Sequence, residues 1–371
     1  MRLYVVAGKQ TDSVTHGFLP AAAALRLDVT LLTDRAWPGA EGLRCDVTDF
    51  RSIIATVARD GAPTAIFSNS DHLQAPTALA AEYFGLPGKD WRAALRTKNK
   101  ALMRRTLGGV YATELRPGEE PPGDAPYPLV VKPREGVASE DVFLVGDAAE
   151  LGARCREIWA RRPEALVAEE YLPGALHTLE TLNGQVIGGF RTRVSAPPHF
   201  VEERLDWAPP PCADQVLAGL RTLGVGLGAC HTEYVVHQGR ARIVEVNYRI
   251  IGDHCDFLLA DLLGVPLFEW VLRAHLGEPM PPLPAASGHA AVDSVIADRS
   301  GTLALAPGRQ EYETGGVRLA YWPVRTTGDV IELTRTNRDY VGMIRAVGAD
   351  PAGVDAAIRG FRARHRWEIV P

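Results

Sequence analysis

His231-Thr232-Glu233-Tyr234-Val235-Val236-His237-Gln238-Gly239-Arg240-Ala241-Arg242-Ile243-Val244-Glu245-Val246-Asn247-Tyr248-Arg249 reads as two apolar-rich arms that turn near Gln238-Gly239, a β-hairpin. With a three-residue loop from Gln238 to Arg240, His237 pairs with Ala241, and counting back along both arms sets Glu233 directly opposite Glu245. Directly opposed Cβ atoms lie roughly 4.5–5.5 Å apart, and like charges at that spacing destabilise a ladder. A bound cation removes the conflict. Period-two alternation puts Asn247 and Arg249 on the Glu245 face and sends Val244, Val246 and Tyr248 to the other. Two carboxylates and an amide oxygen form a hard-oxygen set suited to Mg²⁺ (or Mn²⁺), which makes Glu233, Glu245 and Asn247 the candidate metal ligands.

Upstream, Leu3–Ala7 reads as a buried strand, Gly8–Gly17 as a polar turn and Phe18–Leu25 as a helix. Strand and helix signals then alternate: Asp28–Leu32, Phe50–Arg59, Thr64–Phe67 and Leu73–Phe84. That alternation predicts a mostly parallel sheet, whose ligands sit at the carboxyl ends of its strands, so Ser68, Asn69, Ser70 and Asp71 are candidate substrate contacts. Gly85-Leu86-Pro87-Gly88 breaks the pattern. A helix follows from about Thr97, with Thr97 as its cap and Lys98 and Lys100 aboard, Lys98 on a solvated face. Leu129-Val130-Val131-Lys132-Pro133 is a strand ending in a lysine, Asp147 and Glu150 form a capping box, and Asn183-Gly184 turns another hairpin. Pro279–Pro284 is a linker, and Asp350-Pro351 opens the last helix.

The chain has 371 residues, too many for one ordinary core, and its 46% hydrophobic and 23% charged content is that of a globular protein. A net charge of −5 gives no footprint for nucleic acid or an anionic membrane, leaving small molecules as the expected partners. The five cysteines lack metal-type spacing, and their odd number argues against a disulfide framework. No apolar run approaches a membrane span and the N-terminal run is too brief for a signal peptide, so the expected compartment is the cytoplasm.

An acidic residue on one strand and Glu-x-Asn-x-Arg on the next resembles the ATP-grasp family, and three further landmarks stand in that family's order. Asn99-Lys100 occupies the place of a usual Asp-Lys pair. Val131-Lys132-Pro133, followed by Arg134-Glu135-Gly136-Val137-Ala138-Ser139, is similar to the lysine strand and the loop that closes over the phosphates. Ala168-Glu169-Glu170-Tyr171-Leu172-Pro173-Gly174 is similar to the hinge that reads adenine.

The resemblance implies ATP and Mg²⁺ as cofactors. Lys100 and Lys132 then compensate the triphosphate, Ser139 belongs to the closing loop, and Glu169, the Glu170 backbone and the Leu172 amide read the base. Leu176 stands near the usual ribose-binding glutamate, so His177 or Glu180 takes the ribose. Arg249, a planar fork, goes to the reacting phosphoryl group as a catalytic residue beside Lys132. Arg191 and Arg193 are candidates for a substrate carboxylate, and Asp253 and His254 for the amine.

The fold class expected is α/β and α+β: an N-terminal Rossmann-like α/β domain (1–95), a two-lobed ATP-grasp nucleotide clamp (96–280) and a C-terminal α+β domain (281–371). The function expected is an ADP-forming ligase joining a small-molecule carboxylate to an amine through an acyl phosphate, acting on an amino acid in peptide or natural-product assembly and open to homodimer formation. The rival readings are a biotin-dependent type of carboxylase, which lacks a biotin-attachment segment here, a nucleotide-binding module without catalysis, and a Rossmann dehydrogenase. The first turn, Ala7-Gly8-Lys9-Gln10-Thr11, lacks the glycine fingerprint the dehydrogenase needs.

Overall fold

The computed structural model describes residues 1–37 and 42–371. Its first sheet is parallel, with strands in the order Gly42–Arg44, Asp28–Thr33, Arg2–Val6 and Ala65–Phe67. These strands are apolar on both faces because both faces are covered. Tyr4, Val6, Leu32 and Ile66 pack on Ile53 and Val57 of helix Phe50–Asp60 and on Ala80 and Ala81 of helix Gln74–Tyr83. Leu3, Val5, Leu31 and Phe67 face the other way, into a core shared with helices Cys255–Leu263 and Leu267–His275. The N-terminal sheet is thus built onto the segment that follows the metal-ligand pattern. The polar turn expected at Gly8–Gly17 is shorter than that reading, because a π-helix begins at Ser13, where the buried Ser13 hydroxyl bonds Asp256 at 2.5 Å.

Two antiparallel sheets face each other across a cleft. The smaller runs Ala112–Leu115, Leu166–Glu170, Leu129–Pro133 and Phe143–Val145, backed by helix Ala148–Arg161 through Leu151, Cys155 and Ile158. Among the described residues the larger has ten strands, nine in one path and the tenth, Gln185–Gly188, paired beside Ala175–Leu182. The path starts at Arg240–Asn247 and Ala229–His237, continues through Ala175–Leu182, Phe190–Val194 and Glu202–Trp207, and passes into His289–Ile296, Tyr340–Gly348, Val317–Pro323 and Gln310–Thr314. Strand Glu202–Trp207 pairs directly with His289–Ile296, so the C-terminal segment continues the same sheet.

Several local readings are corrected. Thr97 lies inside helix Trp91–Lys98, where its hydroxyl bonds the Ala93 carbonyl; Asn99 caps the next helix, Lys100–Leu107, by accepting from the Leu102 amide at 3.0 Å. Asn99 therefore does what an aspartate would do there, and the ordinary Asp-to-Asn exchange keeps Lys100 at the start of a helix. Lys98 is not on a solvated face: its Nζ is buried, has no hydrogen-bond partner among the described residues, and burial lowers its pKa.

The decisive hairpin turns on two residues, not three. Gln238 (φ 50°) and Gly239 (φ 73°) are both left-handed, as a type I′ turn requires, and His237 pairs with Arg240. Glu233 still meets Glu245, because the register shifts by one residue beyond the Tyr234–Ile243 pair and Val244 becomes the extra residue of a β-bulge. The bulge also overturns the facing expected for Val244, which lines the cleft together with Glu245.

Candidate active site

Between the two antiparallel sheets lies a cleft of about 170 Å³, walled by Val130, Lys132, Glu169 and Leu172 on one side and by Leu176, Glu233, Val244 and Glu245 on the other. Lys132 and Glu169 are neighbouring-strand residues with side chains buried below 7% exposure, their charged atoms 2.6 Å apart. Arg104, one helical turn beyond Lys100, completes a triad: Nε and Nη2 grip both Glu169 oxygens at 2.6 and 3.0 Å, and Nη1 donates to the Ile243 carbonyl at 2.5 Å. Burial opposes ionisation of Glu169, yet Lys132 and Arg104 outweigh it and hold the carboxyl down to about 2. The expected adenine-hinge residue therefore orients a lysine at the cleft wall with its side chain. Glu170 is tied to Arg242 at 2.8 Å, and its neighbours Tyr171 and Leu172 line the cleft.

The opposite wall carries the acidic pair. Lys100 Nζ donates to Glu245 at 2.7 Å and to the Gly136 carbonyl at 3.2 Å, so one ammonium holds both a candidate metal ligand and the loop 134–141. The loop is further fixed where Ser139 Oγ donates to the Phe200 carbonyl at 3.0 Å, the Ala138 carbonyl accepts from the Asn337 amide at 3.1 Å and Arg338 pairs with Glu140 at 2.6 Å. Glu233 has a different neighbour, His231, whose Nε2 is 3.6 Å away while Nδ1 contacts Glu180 at 2.8 Å. Burial opposes the imidazolium, but Glu180 and Glu233 prevail and push His231 up to about 10.

The donor set fits Mg²⁺. Glu233, Glu245 and Asn247 line one cavity with hard oxygens; Lys100 pairs with Glu245, and Glu233 lies 3.6 Å from His231. Among the described residues no group of three or more His, Cys, Asp or Glu has a metal-holding arrangement. A cation at this wall would take two carboxylates and one amide oxygen from the protein, a set that suits Mg²⁺ when water and phosphate oxygens complete its shell.

A larger cavity, about 710 Å³, begins at the same acidic wall and reaches the carboxyl ends of the parallel strands. Asn69, Ser70 and Asp71 line it, whereas Ser68 is buried as an internal brace, donating to the Val6 carbonyl at 2.8 Å. Arg249 projects into this cavity and is paired with Asp71 at 2.9 Å; its Nη1 donates to the Ile250 carbonyl at 2.7 Å. Asp253 (φ 52°) and His254 (φ 63°) stand in the left-handed region on the same wall, with His254 Nε2 3.0 Å from Asp12. Glu202 lines both cavities; burial, Glu233 and Asp253 push its carboxyl up to about 8.

Four expectations fare differently. Arg191 and Arg193 are exposed and line neither cavity. Arg191 is the cross-strand partner of His177, and cross-strand partners share a face, so His177 is turned the same way. Its ring packs 5.8 Å from Tyr234 and not on the cleft, which Leu176 lines instead. Glu180 is bound to His231 at the buried end of its strand. Arg104, His231 and Glu202 were missed. For Arg104 the signal was present, since Lys100 and Arg104 are four apart on one helix face.

No protein-family model matches the sequence, and no curated protein matches it. Solved structures do. An L-amino acid ligase from Bacillus licheniformis superposes with a TM-score of 0.79 at 21% identity, over 100% of this chain and 99% of that one. Phosphoribosylglycinamide synthetase from Anaerococcus prevotii gives 0.71 at 13% identity over 100% and 99% of the two chains. Biotin carboxylase from Campylobacter jejuni, solved as a β-γ-ATP complex, gives 0.69 at 13% identity over 99% and 92%. Likeness over whole chains at these identities establishes the architecture, and the fold is that of the ATP-grasp ligases.

Proposed function

We propose that the protein is an ATP-dependent, ADP-forming carbon–nitrogen ligase that phosphorylates a carboxylate and joins it to an amine, with an amino acid as one substrate, in peptide or natural-product assembly. The observation that carries this reading is the acidic wall itself. Glu233 and Glu245 face each other where the cleft between the sheets meets the larger cavity, with Lys100, Lys132 and Arg249 around that junction. The amino-acid class is supported by the full-length likeness to an L-amino acid ligase.

In this reading ATP enters the cleft between the sheets as substrate, with its base toward Tyr171 and Leu172 and its phosphates toward Lys132 and Lys100. Glu169 and Arg104 keep Lys132 pointing into the cleft, so its orientation is fixed before substrate arrives. Glu233, Glu245 and Asn247 would hold Mg²⁺, which neutralises phosphate charge when bound. The loop 134–141, which lines the cleft through Gly136, Val137, Ser139 and Glu140, would cover the phosphates with its backbone, while the Ser139 hydroxyl anchors the loop to the Phe200 carbonyl. Arg249, steadied by Asp71, meets the carboxylate and the terminal phosphoryl group in the larger cavity, where its fork can bind two oxygens as charge develops. Attack by the carboxylate at the terminal phosphorus gives ADP and an acyl phosphate. The amine then adds to the acyl carbon and phosphate leaves, forming the amide.

The test is a screen of paired carboxylates and amines for ADP release. A pair that gives ADP and an amide in equal amounts is the expected result; ATP turnover that requires bicarbonate and no amine overturns the ligase reading.

A further inference from the structure

A lysine outside both cavities connects the two segments that meet at the Asp71–Arg249 pair, one directly and the other through Gln74. Lys89 is 8% exposed, and neither it nor Gln74 lines the site. Its Nζ donates to Gln74 Oε1 at 2.7 Å and to the Tyr248 carbonyl, while lying 4.5 Å from the Tyr248 ring centroid. Gln74, 4% exposed, passes the contact on: its Nε2 donates to the Ser68 carbonyl at 3.0 Å and the Ser70 carbonyl at 2.9 Å. Ser70 immediately precedes Asp71, and Tyr248 immediately precedes Arg249. The side chains of Asp71 and Arg249 then close the ring at 2.9 Å.

We propose that Lys89, acting through Gln74, is a positioning residue for the ligase reaction, setting the separation of the Asp71 and Arg249 loops so that the guanidinium points at the reacting phosphoryl group. The proposal rests on the role given to Arg249 above.

A buried ammonium is costly, and burial pulls Lys89 down to about 7. A methionine of similar length would pack there without that penalty but would leave the Gln74 oxygen and the Tyr248 carbonyl without a donor. What the lysine adds is a fixed distance between two backbones from different parts of the chain. Its acceptors are specific to that task, since all the carbonyls reached by Lys89 or Gln74 flank Asn69, Asp71 or Arg249. Misalignment by about 1 Å at a reacting group can cost on the order of 100-fold in rate.

Two variants test this, Lys89→Met and Gln74→Met, the second leaving the ammonium and its Tyr248 contact in place. Turnover is expressed per ATP site counted by calorimetry, which removes any loss through misfolding. Both variants are expected to lose on the order of 100-fold in kcat with ATP affinity within about twofold of the parent. Combining Gln74→Met with Asp71→Asn should cost little more than the stronger single change, because both act through one guanidinium. Crystal structures of the variants should show the Asp71–Arg249 pair opened beyond 3.5 Å, the reach of a hydrogen bond. An intact pair in both variants, normal kcat per ATP site, or losses that multiply in the double variant overturn the proposal. If the parent protein forms no ADP with any carboxylate, the ligase reading fails, and the crystallographic readout still decides whether Lys89 positions the pair.

Discussion

Glu233 stands opposite Glu245 only because the hairpin takes up an extra residue at Val244. A regular two-residue hairpin without the bulge would set Glu233 against Val244 and turn the acidic residues away from each other. Twist and register at this one position thus decide whether the wall can hold a cation, and bulges are common beside active sites for this reason. The Lys100–Glu245 contact at 2.7 Å compensates one carboxylate, while Glu233 has the His231 imidazolium 3.6 Å away, a cation that Glu180 holds more closely at 2.8 Å.

Glu245→Gln should therefore raise the Mg²⁺ concentration needed for half-maximal ADP formation by at least about tenfold, or abolish turnover, since it removes a charged ligand from a site with few. It also leaves the Lys100 ammonium, 5% exposed, without its carboxylate. A Mg²⁺ titration of the variant checks this, and an unchanged half-saturation point would remove the hairpin from the metal site.

The two cations on Glu169 should separate by experiment. Lys132→Met leaves Glu169 gripped by Arg104, so the fold should persist while ATP affinity falls by at least about tenfold, having lost one phosphate-facing charge. Arg104→Met removes the bidentate partner and the donor to the Ile243 carbonyl, and should cost about 3–5 kcal/mol of stability, as breaking a buried pair does. Urea unfolding and calorimetric ATP titration of both variants measure the difference. Equal losses of stability would contradict the division of labour.

Stability should depend on pH through Lys89. An ordinary lysine titrates near 10.5 and Lys89 near 7, so between these values the unfolded chain binds the extra proton and the folded chain does not. Stability from this group accordingly rises with pH across that window and is lost as pH falls toward 7. Unfolding midpoints of the parent and of Lys89→Met, compared at pH 7 and pH 9.5, should diverge upward for the parent. Parallel trends would show that the ammonium is not buried as described.

Much of this was legible in the sequence because the signals were local. Alternating apolar runs marked the parallel strands, and the two glutamates, the asparagine and the arginine lay within seventeen residues of one another, Glu233 to Arg249. The N-cap at Asp147 was legible too, since its Oδ1 accepts from the Glu150 amide at 2.8 Å, while the Glu150 carboxylate accepts from the Gly146 amide and not from that of Asp147 as a full capping box would have it. What was not legible depended on contacts distant in sequence. Arg104 meets Glu169 across 65 positions and Asp71 meets Arg249 across 178, and no periodicity encodes such meetings. Lys98 read as solvated because its helix alone does not show what covers it. Arg191 and Arg193 followed a correct alternation, but which face of a strand looks at the cleft is set by the partner strand, where His177 opposes Arg191. The bulge at Val244 leaves no composition signal, and the three-residue loop reached the same Glu233–Glu245 pairing by a compensating miscount.

The central claim is that the carboxylate attacks the terminal phosphorus of ATP. In the proposed reading Lys100, Lys132 and the acidic wall at the end of the cleft, with Arg249 in the adjoining cavity, would stabilise the charge that develops there. The most direct measurement supplies MgATP and the cognate carboxylate with hydroxylamine in place of the amine, and identifies both products. The account predicts ADP with phosphate, and a hydroxamate formed in equal amount from the trapped acyl phosphate. AMP and pyrophosphate, with the hydroxamate arising from an acyl adenylate, would contradict it.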